Sequence, residues 1–330
     1  MSDLATAQQI DAEFAQLTSP YRGELLAHCY RMLGSFDDAE DQVQETLIRA
    51  WKSYGDFEGR SSLRTWLYRI ATNSCLRALE NRARRPLPSG LGGPGTDPDR
   101  PLGRAKDEIA WLQPFPDSML GTGLADPASV VTSRASMRLA LIAALQYLPP
   151  RQRAVLILRD VLGWHAAEVA NLLETSTAAA NSALQRARAQ LASHAPAEDE
   201  IQEPKDPAIR TLLDKFASAF EAADVSSLAS LLREDAVLEM PPLPTWFRGR
   251  GPVTRFLSRV VLTEPGRFRM VPVAANGQPA FAAYQLGRDG QFHAHAIQVL
   301  STSDGFITRI ISFNDSKLVP AFGLPAALPS

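Results

Sequence analysis

Eight prolines (86, 88, 94, 98, 101, 114, 116 and 127) and seven glycines (90, 92, 93, 95, 103, 121 and 123) crowd residues 86–133. Proline lacks the amide proton that a helix or central strand needs, and glycine loses the most backbone freedom on ordering. No long element can run through such a stretch, so the chain must fold as separate bodies around it. Its 330 residues suffice for two or three domains. The stretch reads as a linker, mostly without regular structure. One island interrupts it, Trp111-Leu112-Gln113-Pro114-Phe115-Pro116-Asp117. Two large aromatics in a polar tether would waste apolar surface, so this island is expected to dock on a folded domain.

Hydrophobic residues make up 45% of the chain and charged ones 21%, with a net charge of −2, which suits packed cores and excludes a disordered tail protein. No apolar run approaches the roughly 18–20 residues of a membrane span, so no membrane partner is expected. The opening MSDLATAQQIDAEFAQLTSP has no basic start and no apolar stretch, so no secretory signal is expected. Cys29 and Cys75 are too few for a disulfide framework or a four-ligand metal site. They read as small buried residues in a reducing, cytoplasmic setting, and neither metal nor cofactor is expected.

The near-zero net charge hides an ordered pattern. Residues 60–85 carry seven arginines against Glu80, a local +6, and residues 134–193 carry seven against Asp160, Glu168 and Glu174, a local +4. Between them and the N-terminus the sign reverses, because Asp37, Asp38, Glu40, Asp41 and Glu45 face no base within residues 35–45. Segments of opposite sign suit different partners.

Residues 10–85 read as helices. Leu25, Leu26, Cys29, Met32 and Leu33 recur at helical spacing before a break at Gly34-Ser35. The next helix starts with Asp37 and Asp38, where carboxylates suit the dipole, and carries the stripe Ala39, Val43, Thr46, Leu47, Ala50 and Trp51. After a link over 54–62, a helix from about Leu63 to Arg84 buries Leu63, Trp66, Leu67, Ile70, Ala71, Cys75 and Leu79.

Residues 134–193 predict a second helical body. Leu139, Ile142 and Leu145 start it, Pro149-Pro150 punctuate it, and helices over 151–162 and 166–173 flank Gly163. A last helix, capped by Ser176 or Thr177, turns Ala180, Ala183, Leu184, Ala187 and Leu191 inward. This is a helix-turn-helix pattern. Thr177, Ala178, Asn181, Ser182 and Gln185 then point outward, small or hydrogen-bonding groups that can approach base edges. Arg151, Arg153, Arg186 and Arg188 are placed for phosphates. Residues 194–207 form an acidic tether. Beyond it, helix signals at 209–222 and 225–232 precede strand-like runs at 236–240, 268–274, 280–286, 292–301 and 306–312, which implies an α+β domain of several antiparallel strands.

The segments YRGELLAHCYRMLGSFDDAEDQVQETLIRAW and FEGRSSLRTWLYRIATNSCLRALENRARR resemble region 2 of an extracytoplasmic-function sigma factor. LPPRQRAVLILRDVLGWHAAEVANLLETSTAAANSALQRARAQL resembles region 4. The resemblance implies a region 2 bundle over 10–85, a linker over 86–133 and a region 4 helix-turn-helix over 134–193. It also implies core RNA polymerase and promoter DNA as partners. Asp37, Asp38, Glu40, Asp41, Gln44, Glu45 and Arg49 would then grip the β′ clamp, with the β flap as a further contact of the polymerase. Phe57, Arg60, Ser61, Ser62, Arg64, Trp66, Arg69, Asn73 and Arg77 would open and read the −10 element, although Trp66 fits a core position equally well. Ser176 and the outward residues of the last helix would read the −35 element. Asn181 stands where many members carry a base.

Residues 208–330 resemble the SnoaL-like, ketosteroid-isomerase-type cone through their element order, the run ADVSSLASLLREDAVLEMPP and Trp246-Phe247-Arg248-Gly249. The tail FNDSKL resembles a variant of an Asn-Pro-Asp-Lys-Leu motif of sigma factors with this domain, which makes Asn314, Asp315, Lys317 and Leu318 candidate regulatory contacts beside Trp111, Leu112 and Phe115. Glu239, Trp246, Tyr284, His293 and His295 are candidates for a small-molecule pocket. His293 and His295 alternate along a strand and so are expected to share a face. Two histidines without a third ligand are a weak metal signal, and no general base has an evident partner. The expected function is a sigma factor modulated in cis by the cone, not an enzyme. A helix-turn-helix regulator with a ligand pocket and a SnoaL-type isomerase or hydrolase fused to a DNA-binding unit stand as alternatives.

Overall fold

The computed structural model describes residues 13–59, 61–80, 82–100, 102–106, 108–120, 135–194 and 207–329. The chain divides into two compact units, Met1–Arg84 with Ser118–Ala195 and Arg85–Asp117 with Pro196–Ser330.

In the helical unit, α1 (Arg22–Leu33) stops at Gly34, whose φ of +70° is left-handed and whose N–H bonds Tyr30 O at 2.7 Å. The side chain of Ser35 then accepts from Asp38 N and caps α2 (Phe36–Lys52). That helix buries Phe36, Ala39, Val43, Thr46 and Ala50. Trp51, expected in the stripe, lies one step round from it and is 48% exposed. Ser62 caps α3 (Leu63–Leu79), which buries Leu67, Tyr68, Ala71, Thr72, Ser74 and Cys75. It ends five residues before the expected Arg84, on the approach to Pro86 and Pro88. Residues before proline favour extended backbone. Leu63, Trp66, Ile70 and Leu79 are only partly buried.

The same unit holds α4 (Leu139–Leu145), α5 (Pro150–Leu156), α6 (Ala166–Leu172) and α7 (Thr177–His194). A π turn, Ile157–Val161, extends α5, and Gly163 at φ +70° reverses the chain towards α6. Polar groups fill the seam between these helices and α1. Arg153, expected to meet phosphate, is instead buried, with its guanidinium donating to Met32 O, to Gln146 Oε1 and O, and to Leu148 O. A cation there neutralises the carbonyl ends of α1 and α4. Arg31 donates to Ser136 Oγ at 3.1 Å, and burial lowers the pKa of each arginine to about 10. A Cβ on Gly34 would come within 3.0 Å of the Gln146 amide, so only glycine admits this contact.

His28 lies wholly inside, its Nε2 2.9 Å from Thr72 Oγ1 and its ring against Tyr68. Burial first, then the Arg31 and Arg64 cations, lower its pKa from 6.5 to about 3.

Beyond residues 85–117, the second unit holds α8 (Pro207–Glu221) and α9 (Val225–Leu231), followed by a seven-stranded sheet. Its strands are β1 (Leu232–Glu239), β2 (Trp246–Arg248), β3 (Phe268–Ala275), β4 (Gln278–Leu286), β5 (Phe292–Ser303), β6 (Phe306–Phe313) and β7 (Ala327–Leu328). The order is β2-β1-β6-β5-β4-β3, with β7 on the start of β5. One pair, β1–β6, is parallel, a departure from the expected antiparallel set. It is possible because four strands and α10 (Arg250–Phe256) intervene in sequence and supply the crossover. Phe216 and Phe220 of α8 and Phe256 of α10 pack with Leu238, Phe247, Phe268, Phe281, Leu300 and Ile310 of the sheet, and with Met240 just past β1, into one apolar core.

Residues 85–117 belong to this unit rather than forming a free tether. Ser89 N donates to Glu239, Gly95 N donates to Trp246 O, and Lys106 N donates to Pro242 O. Asp99 pairs with Arg255 and Arg259. At the far edge strand, Phe115 N donates to Asn276 Oδ1 at 2.8 Å, Asn276 N returns a bond to Phe115 O at 2.9 Å, and Asp117 accepts from Gly277 N. The segment thus reaches from the β1–β2 edge to the β3–β4 turn. Leu87, Leu112 and Phe115 are buried under it.

Two outcomes follow. Phe115→Ala should cost the cone about 3–5 kcal/mol in urea unfolding of the full chain, the cost of truncating a buried phenylalanine; a loss below about 0.5 kcal/mol would show the segment to be a passive tether. Unfolded His28 takes a proton near pH 6.5, whereas the folded form does so near 3, so acid favours unfolding. Stability of the helical unit should therefore fall by up to about 1.4 kcal/mol per pH unit below 6.5. Denaturation of His28→Leu between pH 7 and 5 should lack this slope, and equal slopes in both proteins would refute the assignment.

Candidate nucleic-acid and polymerase-binding surfaces

The acidic helix α2 presents Asp37, Asp41 and Gln44 to solvent, with Asp38, Glu40, Glu45 and Arg49 half-buried. Arg49 bonds Glu45 one turn away, and Arg82 pairs with Asp38. Sequence reasoning missed two neighbours on this face. Ile48, at 42% exposure, and Trp51 follow Gln44 at four and seven residues, which places them on one helical stripe. For Ile48 the signal was the apolar stripe, which leaves it outside; Trp51 was expected within that stripe and lies outside it. The face is therefore apolar as well as acidic.

Along the link and α3, Phe57 stacks on Trp66 with ring centroids 4.8 Å apart. Trp66 is neither core nor free; it is one half of a surface aromatic pair. Ser61 is exposed, Ser62 serves as the cap of α3, and Arg60 lies outside the described residues. Arg64 is already engaged: its guanidinium grips both oxygens of Glu24 and lies over the Tyr68 ring. Partial burial disfavours that cation, but Glu24 and Tyr68 together more than offset it and raise its pKa. Arg69 reaches Glu174 in the turn between α6 and α7 at 3.4 Å. Asn73 and Arg77 line a groove bordered on its other side by the start of α5 and the end of α6.

Region 4's last helix has the expected two faces. Ser176 Oγ accepts from Ala179 N, Ala180, Leu184 and Ala187 are buried, and Thr177, Ala178, Asn181, Ser182, Gln185 and Arg186 are exposed. Arg151 is exposed in the groove, and Arg188 forms a two-point bond with Asp160. Arg153, held on carbonyls inside the seam, drops out of the DNA-facing set. Nothing in its spacing distinguishes it from Arg151, because its partners are helix ends brought together by the fold.

The five expected pocket residues do not converge. Glu239 is fully buried, bonded by Arg309 at 2.6 Å and by Ser89 N at 2.9 Å, on the sheet face opposite Leu238 and Ile310. Trp246 Nε1 donates to Gly92 O, and Tyr284 OH donates to Pro325 O. Exposed His293 bonds Asp289, whereas His295 packs on the Phe268 ring; burial, then Arg267, lower its pKa. The register slips between Ala283 and Tyr284, whose partners are Ala296 and Ala294, and the extra residue is His295. This bulge breaks the alternation on which a shared histidine face depended. Phe216, Phe220, Phe247, Phe256, Phe268 and Phe281 share one apolar core in this unit. Among the described residues no group of three or more metal-ligating side chains occurs, and no helix is long and apolar enough to cross a membrane.

Of the expected regulatory contacts, Leu112 and Phe115 are buried, and half-buried Trp111 receives Arg85 on its carbonyl and donates Nε1 to Lys106 O. In the tail, Asn314 N donates to Pro241 O, Asp315 caps a 3-10 turn by accepting from Lys317 N, and Leu318 is buried. These residues hold the cone's own fold; Lys317 is exposed.

Residues 17–85 match the Sigma-70 region 2 family, residues 138–191 the Sigma-70 region 4 family, and residues 213–310 the SnoaL-like domain family. The chain is 50% identical over 325 residues to the ECF RNA polymerase sigma factor SigG of Mycobacterium tuberculosis, covering 98% of this chain and 86% of that one. It is 30% identical over 299 residues to ECF RNA polymerase sigma factor SigJ of the same organism, covering 88% of each. The crystal structure of Mycobacterium tuberculosis extracytoplasmic function sigma factor SigJ shares the fold, with a TM-score of 0.61 at 24% identity over 94% of this chain and 99% of that one. Matched through both sigma regions and the appended domain, this chain belongs to the ECF RNA polymerase sigma factors.

Proposed function

We propose that this sigma factor binds core RNA polymerase in the cytoplasm through the acidic and apolar face of α2, with the β′ clamp as its seat and the β flap as a second contact. It reads the −10 element with the Phe57–Trp66 pair, Ser61, Arg69, Asn73 and Arg77, and the −35 element with the N-terminal half of α7. The observation that carries the reading is the composition of that half-helix. Its exposed side chains are small or hydrogen-bonding, with Arg186 following, while its other face is packed. Such a surface can enter a major groove without steric conflict and exchange hydrogen bonds with base edges.

The chain performs no covalent chemistry in this account. Opening the promoter costs about 1.4 kcal/mol of stacking per base-pair step, which captured bases and backbone contacts in the holoenzyme offset. The cone modulates initiation in cis by holding residues 85–117, the peptide that joins the two promoter-reading regions.

In vitro transcription with purified core polymerase tests the reading. Glu45→Lys with Asp41→Lys should lower core affinity at least tenfold in a pull-down at moderate salt; unaltered capture would exclude α2 as the docking face. Asn181→Ala should shift −35 preference by about 1–3 kcal/mol at one base position, read from a promoter library. A promoter profile identical to the parent's would remove α7 from that role.

A further inference from the structure

A groove of about 670 Å³ runs between α3 and the α5–α6 segment of the helical unit. That is the size of a small-molecule site. Its apolar lining includes Leu76, Leu172 and Leu173, and its polar lining includes Asn73, Arg77 and Arg151. Two salt bridges bracket it. Arg69 takes up Glu174, and Arg82 is taken up by Asp38. Arg77 and Arg151 stand apart from these, since no described carboxylate lies within 4.0 Å of either guanidinium. Glu80 is the one other acid in the lining, and among the described residues it too has no ion pair. Residues 60–85 around it carry a local +6. Two guanidiniums without a described carboxylate partner on one concave surface make it attractive to an anion. The planar fork of arginine fits phosphate oxygens in particular.

We propose that this groove binds a phosphate-bearing ligand of the nucleotide class, its phosphates on Arg77 and Arg151 and its organic body against Leu76, Leu172 and Leu173. The leucines are what separate this from a site for a bare inorganic anion, which has no use for apolar surface. Asn73 offers an amide that can both donate to and accept from a base or ribose. Because the two walls come from α3 and from the α5–α6 segment, an occupied groove ties them together. It also engages Arg77 and Arg151, side chains assigned above to promoter DNA. The binding itself rests on the groove alone, and only its effect on initiation rests on the proposed promoter roles.

The experiment uses the free full-length protein without polymerase or DNA, so its failure is separate from any failure of the promoter reading. Calorimetric titration at constant ionic strength compares ATP, inorganic triphosphate and adenosine. ATP should bind saturably at one site, triphosphate at least tenfold more weakly, and adenosine not measurably. Arg77→Gln and Arg151→Gln, both at exposed positions, should each weaken ATP at least tenfold. Leu76→Ala should weaken ATP and leave triphosphate unchanged. Absence of saturable ATP binding up to millimolar concentration, or binding undiminished in both arginine variants, would overturn the site. Triphosphate binding as tightly as ATP would overturn its nucleotide character.

Discussion

The helical unit depends on one buried cation. Arg153 comes from the start of α5, yet its guanidinium serves the carbonyl ends of two other helices, Met32 O in the last turn of α1 and Gln146 O and Leu148 O after α4. Helix C-termini carry unsatisfied carbonyls and partial negative charge, and inside a protein these cannot turn to water. One planar group with five donors neutralises both ends at once and so fixes where the region 4 helices meet α1. Leaving such a buried polar group without its partner typically costs about 1–3 kcal/mol, more when the group is charged. Gly34 and Gln146 belong to the same arrangement, since the absent Cβ admits the amide that supports Arg153.

The second unit solves a related problem by another route. A proline-rich segment cannot form its own hydrogen-bond ladder, but its remaining amides and carbonyls still need partners where they are buried. The cone supplies them one at a time. Glu239 serves Ser89, Trp246 serves Gly92 and Gly95, and Asn276 exchanges a bond in each direction with Phe115. The fully buried carboxylate of Glu239 is explained by this role together with Arg309, without any catalytic function. Where Gly95 crosses the Phe247 ring, an added Cβ would sit 3.0 Å from it.

Periodicity made the helices, the two faces of α7 and five of the strands legible, because alternation and the 3.6-residue repeat are properties of each segment alone. The aromatic island was legible for a similar reason, since exposed tryptophan and phenylalanine demand a cover. What stayed hidden was set by distant partners. Arg151 and Arg153 share a spacing and a residue type, yet one is exposed and the other buried against carbonyls of two other segments. Glu239, Trp246, Tyr284 and His293 looked like pocket polars, but each is satisfied by a linker, tail or loop group that no local pattern announces. The bulge at His295 removed the shared histidine face through a single residue of register.

Chain connectivity gives these local facts a joint consequence. The polypeptide passes between its two units after residues 84, 117 and 195. The peptide joining region 2 to region 4 is therefore an integral part of the cone over most of its length. Any rearrangement that needs this peptide free must first break the Phe115–Asn276 pair, the Glu239 contact and the Asp99 ion pairs. The exposed ion pairs contribute little, about 0–1 kcal/mol each, so the cost lies in baring Leu87, Leu112 and Phe115 and in leaving Glu239 with one partner fewer. Burying an aromatic and two leucines is worth several kcal/mol, comparable with the total stability of many domains. A holding energy of that size is large enough to control a population, which is what the regulation proposed above requires.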